Sequence, residues 1–310
     1  MDTGSGYYRQ VQLLMRALPL VAEEKCFALK GGTAINLFVR DMPRLSVDID
    51  LVYLPMDDRD VALSSITEAL DRIAAKILSS IRETQVQKSY ESRSDALRLI
   101  VKQGEVQIKI ELSPVLRGTV FPEELREVSE KVEAQFGYAE MSVVSIPDLY
   151  AGKLCAALDR QHPRDLFDVK FLLENEGLTD DLRKAFLVYL ISHNRPISEL
   201  LSPTRKDLKA VYENEFVRMA QIDVPLQELE AVRETLIRGL NAALTESERR
   251  FLLSFKALKP DWSLLGFPHV ENLPAVRWKI LNLSKMDTDK RLQAYKKLED
   301  VLNNPSTKTE

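Results

Sequence analysis

Two cysteines, three histidines and two tryptophans are all that the 310 residues hold of these side chains. Cys26 and Cys155 both sit in apolar surroundings. That excludes a disulfide framework and reads as two buried thiols in a reducing compartment. His162, His193 and His269 are too scattered to form a Cys/His zinc cluster. No apolar run approaches the roughly 18–20 residues of a membrane span, so no membrane association is expected. Met1-Asp-Thr-Gly-Ser-Gly lacks the basic start and apolar stretch of a secretory signal, and a cytoplasmic protein is expected. A strong charge excess is missing too. Lys and Arg number 43 against 47 Asp and Glu, a net of −4. That excludes a generic, charge-driven nucleic-acid coat but leaves room for a local basic groove.

What is present suits an ordinary core: 45% hydrophobic and 29% charged residues, in a chain long enough for about two domains of ~150 residues each. Residues 7–24 and 60–82 carry helical apolar stripes, the first through Val11, Leu14, Leu18 and Val21. Strands are expected at 84–90, 96–102 and 105–112, the last two joined at Gln103-Gly104, with one more edge strand at 141–145. After Ser145 nearly everything has helical periodicity. The fold class is therefore α+β: a small mixed-sheet core over 1–145, then an all-helical domain over 146–310.

The densest chemistry lies in residues 30–51. Gly31 and Gly32 allow a backbone to approach a triphosphate with no Cβ in the way. The hydroxyl of Thr33 and nearby N–H groups suit phosphate oxygens where a helix begins. Val47 to Tyr53 alternates, so Asp48 and Asp50 point to one face and together can ligate Mg²⁺. Either half alone is common on exposed loops and strands. Together, with Arg40 and Arg44 between them, they read as a metal-dependent nucleotidyl transfer site.

Glu105 to Leu112 also alternates, with Lys109 and Glu111 on one face. If this strand lies beside residues 47–53, Glu111 joins Asp48 and Asp50 as the third carboxylate of a two-metal centre. A third group runs from Lys153 to Asp168. Lys153 and Arg160 are two helical turns apart. Pro163 opens a new helix, with Arg164, Asp165 and Asp168 in its first turns. Lys153 would offset charge developing on pyrophosphate. Arg160 and Arg164 would hold phosphates or the acceptor, and Asp165 or Asp168 would orient those cations. The plainer alternative is a set of exposed helical ion pairs worth only ~0.2–0.5 kcal/mol each. Trp262 and Trp278 sit among apolar neighbours and are expected in the core.

These blocks resemble the AbiEii/AbiGii nucleotidyltransferase-like toxins, which include the MenT toxins and fall in the DNA polymerase β-type superfamily. Ala28 to Asn36 with Asp48-Ile-Asp-Leu51 resembles the first motif of that family. Lys109-Ile-Glu111 resembles the second, and Lys153 to Asp168 the third. The resemblance implies catalytic Asp48, Asp50, Glu111, Lys153, Asp165 and Asp168. It implies a nucleotide site of Lys30, Gly31, Gly32, Thr33, Lys109, Arg160 and Arg164, and Mg²⁺ on Asp48, Asp50 and Glu111. It further implies an NTP substrate, a separate cognate antitoxin, and transfer of a nucleotide to RNA, with the tRNA 3′ end the expected acceptor. Two other readings stand beside it. One moves the nucleotide to a protein or small-molecule hydroxyl. The other is a nucleotide-binding or partner-binding module without turnover.

Overall fold

The structure, a computed structural model, describes residues 6–93, 96–267 and 269–304. The chain divides into two compact units. The first runs to Ser145 and takes in Arg218–Asp223; the second holds Ile146–Val217 and the chain from Val224 onward.

The first unit opens with helix α1 (Gly6–Ala22), whose apolar stripe is buried from Val11 to Val21. Strand β1 (Phe27–Lys30) runs into α2, a single turn (Gly31–Thr33) that continues as a π-helical stretch, Ala34–Val39. Next come β2 (Asp48–Tyr53), α3 (Arg59–Ser80), β3 (Thr84–Lys88), β4 (Arg98–Gln103) and β5 (Val106–Leu112). Strand β6 (Glu124–Glu127), α4 (Glu130–Phe136) and β7 (Glu140–Val143) complete it.

The seven strands form one mixed sheet in the order β3-β4-β5-β2-β1-β7-β6. Helix α1 packs against β5 and β7, and α3 against β3 and β4. Period-2 alternation does the sorting: Ile49, Leu51, Ile108 and Ile110 are wholly buried, while Asp48, Asp50, Lys109 and Glu111 between them stay partly open.

Three expectations change here. The 141–145 segment is not an edge. β7 pairs with β1 on one side and β6 on the other, and β6 is the edge. Strand β6 gave no sequence signal because Glu124-Leu-Arg-Glu127 is a mostly exposed strand with no apolar face to alternate. Cys26, expected in the core, is only half-buried, whereas Cys155 is fully buried. The helix expected to begin at Thr33 is π-wound over Ala34–Val39, with Arg40 N–H donating to Ile35 O at 2.9 Å.

The strap Arg218–Asp223 pairs with the loop before β2. Leu45 N–H donates to Met219 O at 2.8 Å, Gln221 N–H donates to Pro43 O at 2.9 Å, and Arg44 and Ala220 face each other in an antiparallel bridge.

The second unit contains α5 (Ile146–Arg160), α6 (Pro163–Asn175), α7 (Asp180–Ser192), α8 (Ile197–Leu201) and the short α9 (Lys209–Val211). It continues with α10 (Leu226–Ala243), α11 (Glu246–Lys256), α12 (Pro274–Ser284) and α13 (Thr288–Asn303). Local chemistry fixes several starts. Thr179 accepts from Leu182 N–H, and Thr245 and Glu248 form a full capping box. Tyr150, Phe167, Phe186, Phe251 and Phe255 fill the interior. Trp262 packs against Phe251 with ring centroids 5.4 Å apart, but Trp278, expected in the core, is 45% exposed. Its neighbours along α12 are apolar, yet Leu281 is exposed with it. Among the described residues no helix is long and apolar enough to cross a membrane.

Candidate active site

In the first unit, β1 ends at Lys30 directly opposite Asp50 on the antiparallel neighbour β2. The chain must then turn at once. Gly31 does so at φ +75°, a conformation glycine adopts without steric cost. Space forbids a side chain there as well. A Cβ on Gly31 would lie 2.4 Å from Asp50 Oδ2, and one on Gly32 would lie 2.8 Å from Arg44 Nη2 and 2.9 Å from Ser46 Oγ. The glycine bend thus rests on the Asp50 carboxylate with nothing between.

Thr33 takes a different part from the one read in the sequence. Its hydroxyl is wholly buried, donates to the backbone oxygen of Asp48 and lies 3.0 Å from Ser46 Oγ. It ties the helical turn to the start of β2. Asn36, also fully buried, donates from Nδ2 to Gly32 O at 2.9 Å and secures the bend from the other side.

Strand β5 lies parallel beside β2, with Asp48 opposite Lys109 and Asp50 opposite Glu111. Asp48, Asp50 and Glu111 therefore occupy one sheet face, as do Lys30 and Lys109 at the neighbouring register positions. The Glu111 carboxylate is already engaged: Arg98, its register partner on β4, places Nε 2.7 Å from Oε1. Sequence reading passed over Arg98, because only the β4–β5 register reveals it. Among the described residues, no group of three or more His, Cys, Asp or Glu side chains is gathered closely enough to hold a metal. The donor set suits a hard divalent cation all the same. Asp48 and Asp50 offer carboxylate oxygens from one strand face, and the bend beside them leaves no side chain over Asp50.

The second unit gathers the other group within itself. Lys153 on α5 extends its ammonium to Asp165 Oδ1 at 2.8 Å and Asp168 Oδ2 at 3.0 Å on α6. Arg160, at the end of α5, grips Asp165 with Nε and with Nη2, the latter at 2.8 Å. These are not exposed helical pairs. Asp165 is 0% exposed, Asp168 1% and Lys153 6%. Burial alone would raise the Asp165 carboxyl, but Lys153 and Arg160 hold it well below its ordinary value of 3.8.

His162 caps α6. Its Nδ1 accepts from Arg164 N–H at 3.1 Å, and its Nε2 lies 3.1 Å from Glu215 Oε2. Desolvation lowers the imidazole from 6.5 and outweighs the upward pull of Glu215. Arg164 itself reaches toward Glu215, Nη2 to Oε2 3.8 Å.

Several cations of the helical unit are occupied internally. Lys170 pairs with Glu174 and Glu228, Arg183 with Asp180 and Glu248, and Arg205 with Glu234. Lys279 donates to the carbonyl oxygens of His193 and Asn194. Burial, with Lys256 nearby, brings its ammonium down to about 8.

A mixed sheet with a glycine bend against paired aspartates, followed in the chain by a helical unit, defines a nucleotidyltransferase class of protein. The family described as "Nucleotidyl transferase AbiEii toxin, Type IV TA system" matches residues 12–280, and the chain belongs to it. Among solved structures, MenT4, a nucleotidyltransferase toxin from Mycobacterium tuberculosis, is similar over 90% of this chain and 94% of its own. The TM-score is 0.60 at 16% identity, a likeness of fold. No curated protein sequence matches. The protein is thus a nucleotidyltransferase and a toxin of a type IV toxin–antitoxin system, which implies an NTP substrate and a cognate antitoxin.

Proposed function

We propose that this toxin uses Mg²⁺ to transfer a nucleoside monophosphate from an NTP to an RNA acceptor, the 3′ end of tRNA. The observation that carries the reading is the contact of the Gly31 bend with Asp50, on the sheet face shared by Asp48 and Glu111. Asp48 and Asp50 would hold Mg²⁺, with Glu111 joining them when it parts from Arg98. Bound there, the metal would polarise the phosphates and lower the pKa of the attacking hydroxyl. Gly31 and Gly32 present bare backbone to the phosphates, and Lys30 and Lys109, on the same face, add charge to the nucleotide site. Lys153 is fixed in place by Asp165 and Asp168; the family resemblance gives it the part of offsetting charge on the pyrophosphate, and a cation so held would cost no reorganisation there. The family resemblance gives Arg160 and Arg164 the part of holding phosphate or acceptor.

The choice of tRNA rests on the sequence resemblance to toxins that act there, since several cations of the helical unit, Lys170, Arg183 and Arg205 among them, are spent in ion pairs. Incubating each labelled NTP with total tRNA, for wild type and Asp48→Asn, tests the reading. Label on tRNA with wild type alone supports it. Label on a protein band or small product moves the acceptor there. An equally active Asp48→Asn variant removes the metal-holding role.

A further inference from the structure

The glycine bend is held from behind by a residue that the transfer chemistry itself does not require. Arg44 is 3% exposed, with Nη1 donating to Leu45 O at 2.9 Å. Its Nη2 occupies the space a Cβ on Gly32 would need, alongside Ser46 Oγ, which in turn meets the buried Thr33 hydroxyl. A buried guanidinium has many rotamers to lose and needs its backbone fixed to stay in one place. Here the fixing comes from far along the chain. The strap Arg218–Asp223 belongs to the first unit and brackets Arg44 with two backbone bonds, Leu45 N–H to Met219 O and Gln221 N–H to Pro43 O.

We propose that Arg44, clamped by this strap, is a positioning residue for the triphosphate. It fixes the backbone of Gly31–Thr33 so that the peptide N–H groups of the bend keep one orientation toward the phosphates. The strap is then a remote determinant of nucleotide binding, although it supplies no side chain to the ligand. The inference rests on the nucleotide being bound at the bend, as proposed above.

Gln221→Pro deletes the N–H that bonds Pro43 O and leaves every side chain of the bend intact. Arg44→Met removes the guanidinium, and Arg44→Lys keeps a cation of different shape. Ile222→Ser, an exposed strap residue, is the control. Readouts are KM and kcat for each labelled NTP, and hydrogen exchange at the amides of Gly32–Ile35. Gln221→Pro and Arg44→Met are expected to raise the KM for NTP about tenfold or more with kcat within about threefold, the mark of lost ground-state binding. The same variants speed exchange at the bend, Arg44→Lys restores part of the KM, and Ile222→Ser matches wild type. A KM within twofold of wild type in a folded Gln221→Pro, or a fall in kcat alone, overturns the proposal. Should Arg44→Met fail to fold, Gln221→Pro and Arg44→Lys decide by the same criteria. If wild type binds no NTP, the functional reading fails, and the exchange measurement judges the strap by itself: unchanged exchange at Gly32–Ile35 in Gln221→Pro overturns its hold on the bend.

Discussion

A Cβ added to Gly31 would lie 2.4 Å from Oδ2 of Asp50. Two sequence features nineteen residues apart are thus one structural feature: the bend exists where the carboxylate leaves no room. Gly31→Ala must either shift Asp50 or reopen the turn, and it places a non-glycine residue at φ +75°. The strain is expected to cost about 1–3 kcal/mol of stability. If Asp50 holds metal as proposed, nucleotide incorporation is expected to fall far more than stability, by about 100-fold or more, because misplacing such a carboxylate by ~1 Å is costly. Melting temperature and incorporation rate on the same sample check both halves.

Arg98 and Glu111 give a second test. Arg98→Met frees the Glu111 carboxylate without touching β5. If Glu111 ligates metal, the Mg²⁺ concentration for half-maximal activity should drop, since the acid no longer has to leave an ion pair. A magnesium titration of wild type and variant measures it. An unchanged or raised requirement would place Glu111 outside the metal site.

Lys153 should matter to the fold of the helical unit as well as to activity. Lys153→Met strands Asp165 and Asp168, both essentially unexposed. Removing one partner of a buried ion pair typically costs about 3–5 kcal/mol. Arg160, whose side chain is 60% exposed, should cost much less when changed to Met. Urea unfolding of the two variants gives the comparison directly.

Asp165 also sets the acid limb of stability. Its folded carboxyl is held below the ordinary 3.8, so the folded state favours the charged form. The resulting stabilisation is fully present above about pH 4 and is lost as pH falls further into the acid range. Asp165→Asn should flatten the fall in stability below pH 4 relative to wild type, at the expense of lower stability at neutral pH. Denaturant midpoints from pH 2.5 to 7 check the slope.

His162 acts in a milder range. Its Nδ1 must be unprotonated to cap α6, and its pKa lies below 6.5 in the fold. The cap contributes above pH 6.5 and fades as pH drops through the lowered pKa. His162→Asn keeps an acceptor at the cap, so stability should lose the pH dependence that sets in for wild type as pH falls below 6.5. Unfolding midpoints on either side of that pH provide the test.

Much of the fold was written locally. Alternation along Asp48–Tyr53 and Val106–Leu112 gave both strands and the face of every acid, because side chains on a strand can point only two ways. Pro163 gave the start of α6 for an equally local reason, since its fixed φ suits a first helical turn. Strand β6 and helix α4 escaped notice because exposed or short elements carry little apolar pattern.

The sequence by itself singled out the residues proposed to carry the chemistry: the diglycine, the paired aspartates, Glu111 and the Lys153–Asp168 group. Local spacing limits where such side chains can point, and so the sequence suffices for that. Only the tertiary structure decided what each one touches. It turned Thr33 inward to Asp48, bound Glu111 to Arg98, buried Lys153 between two aspartates and brought residues 218–223 back to clamp Arg44. Strand register and chain return join residues that are far apart in sequence, and no periodicity within a window of a dozen residues encodes them.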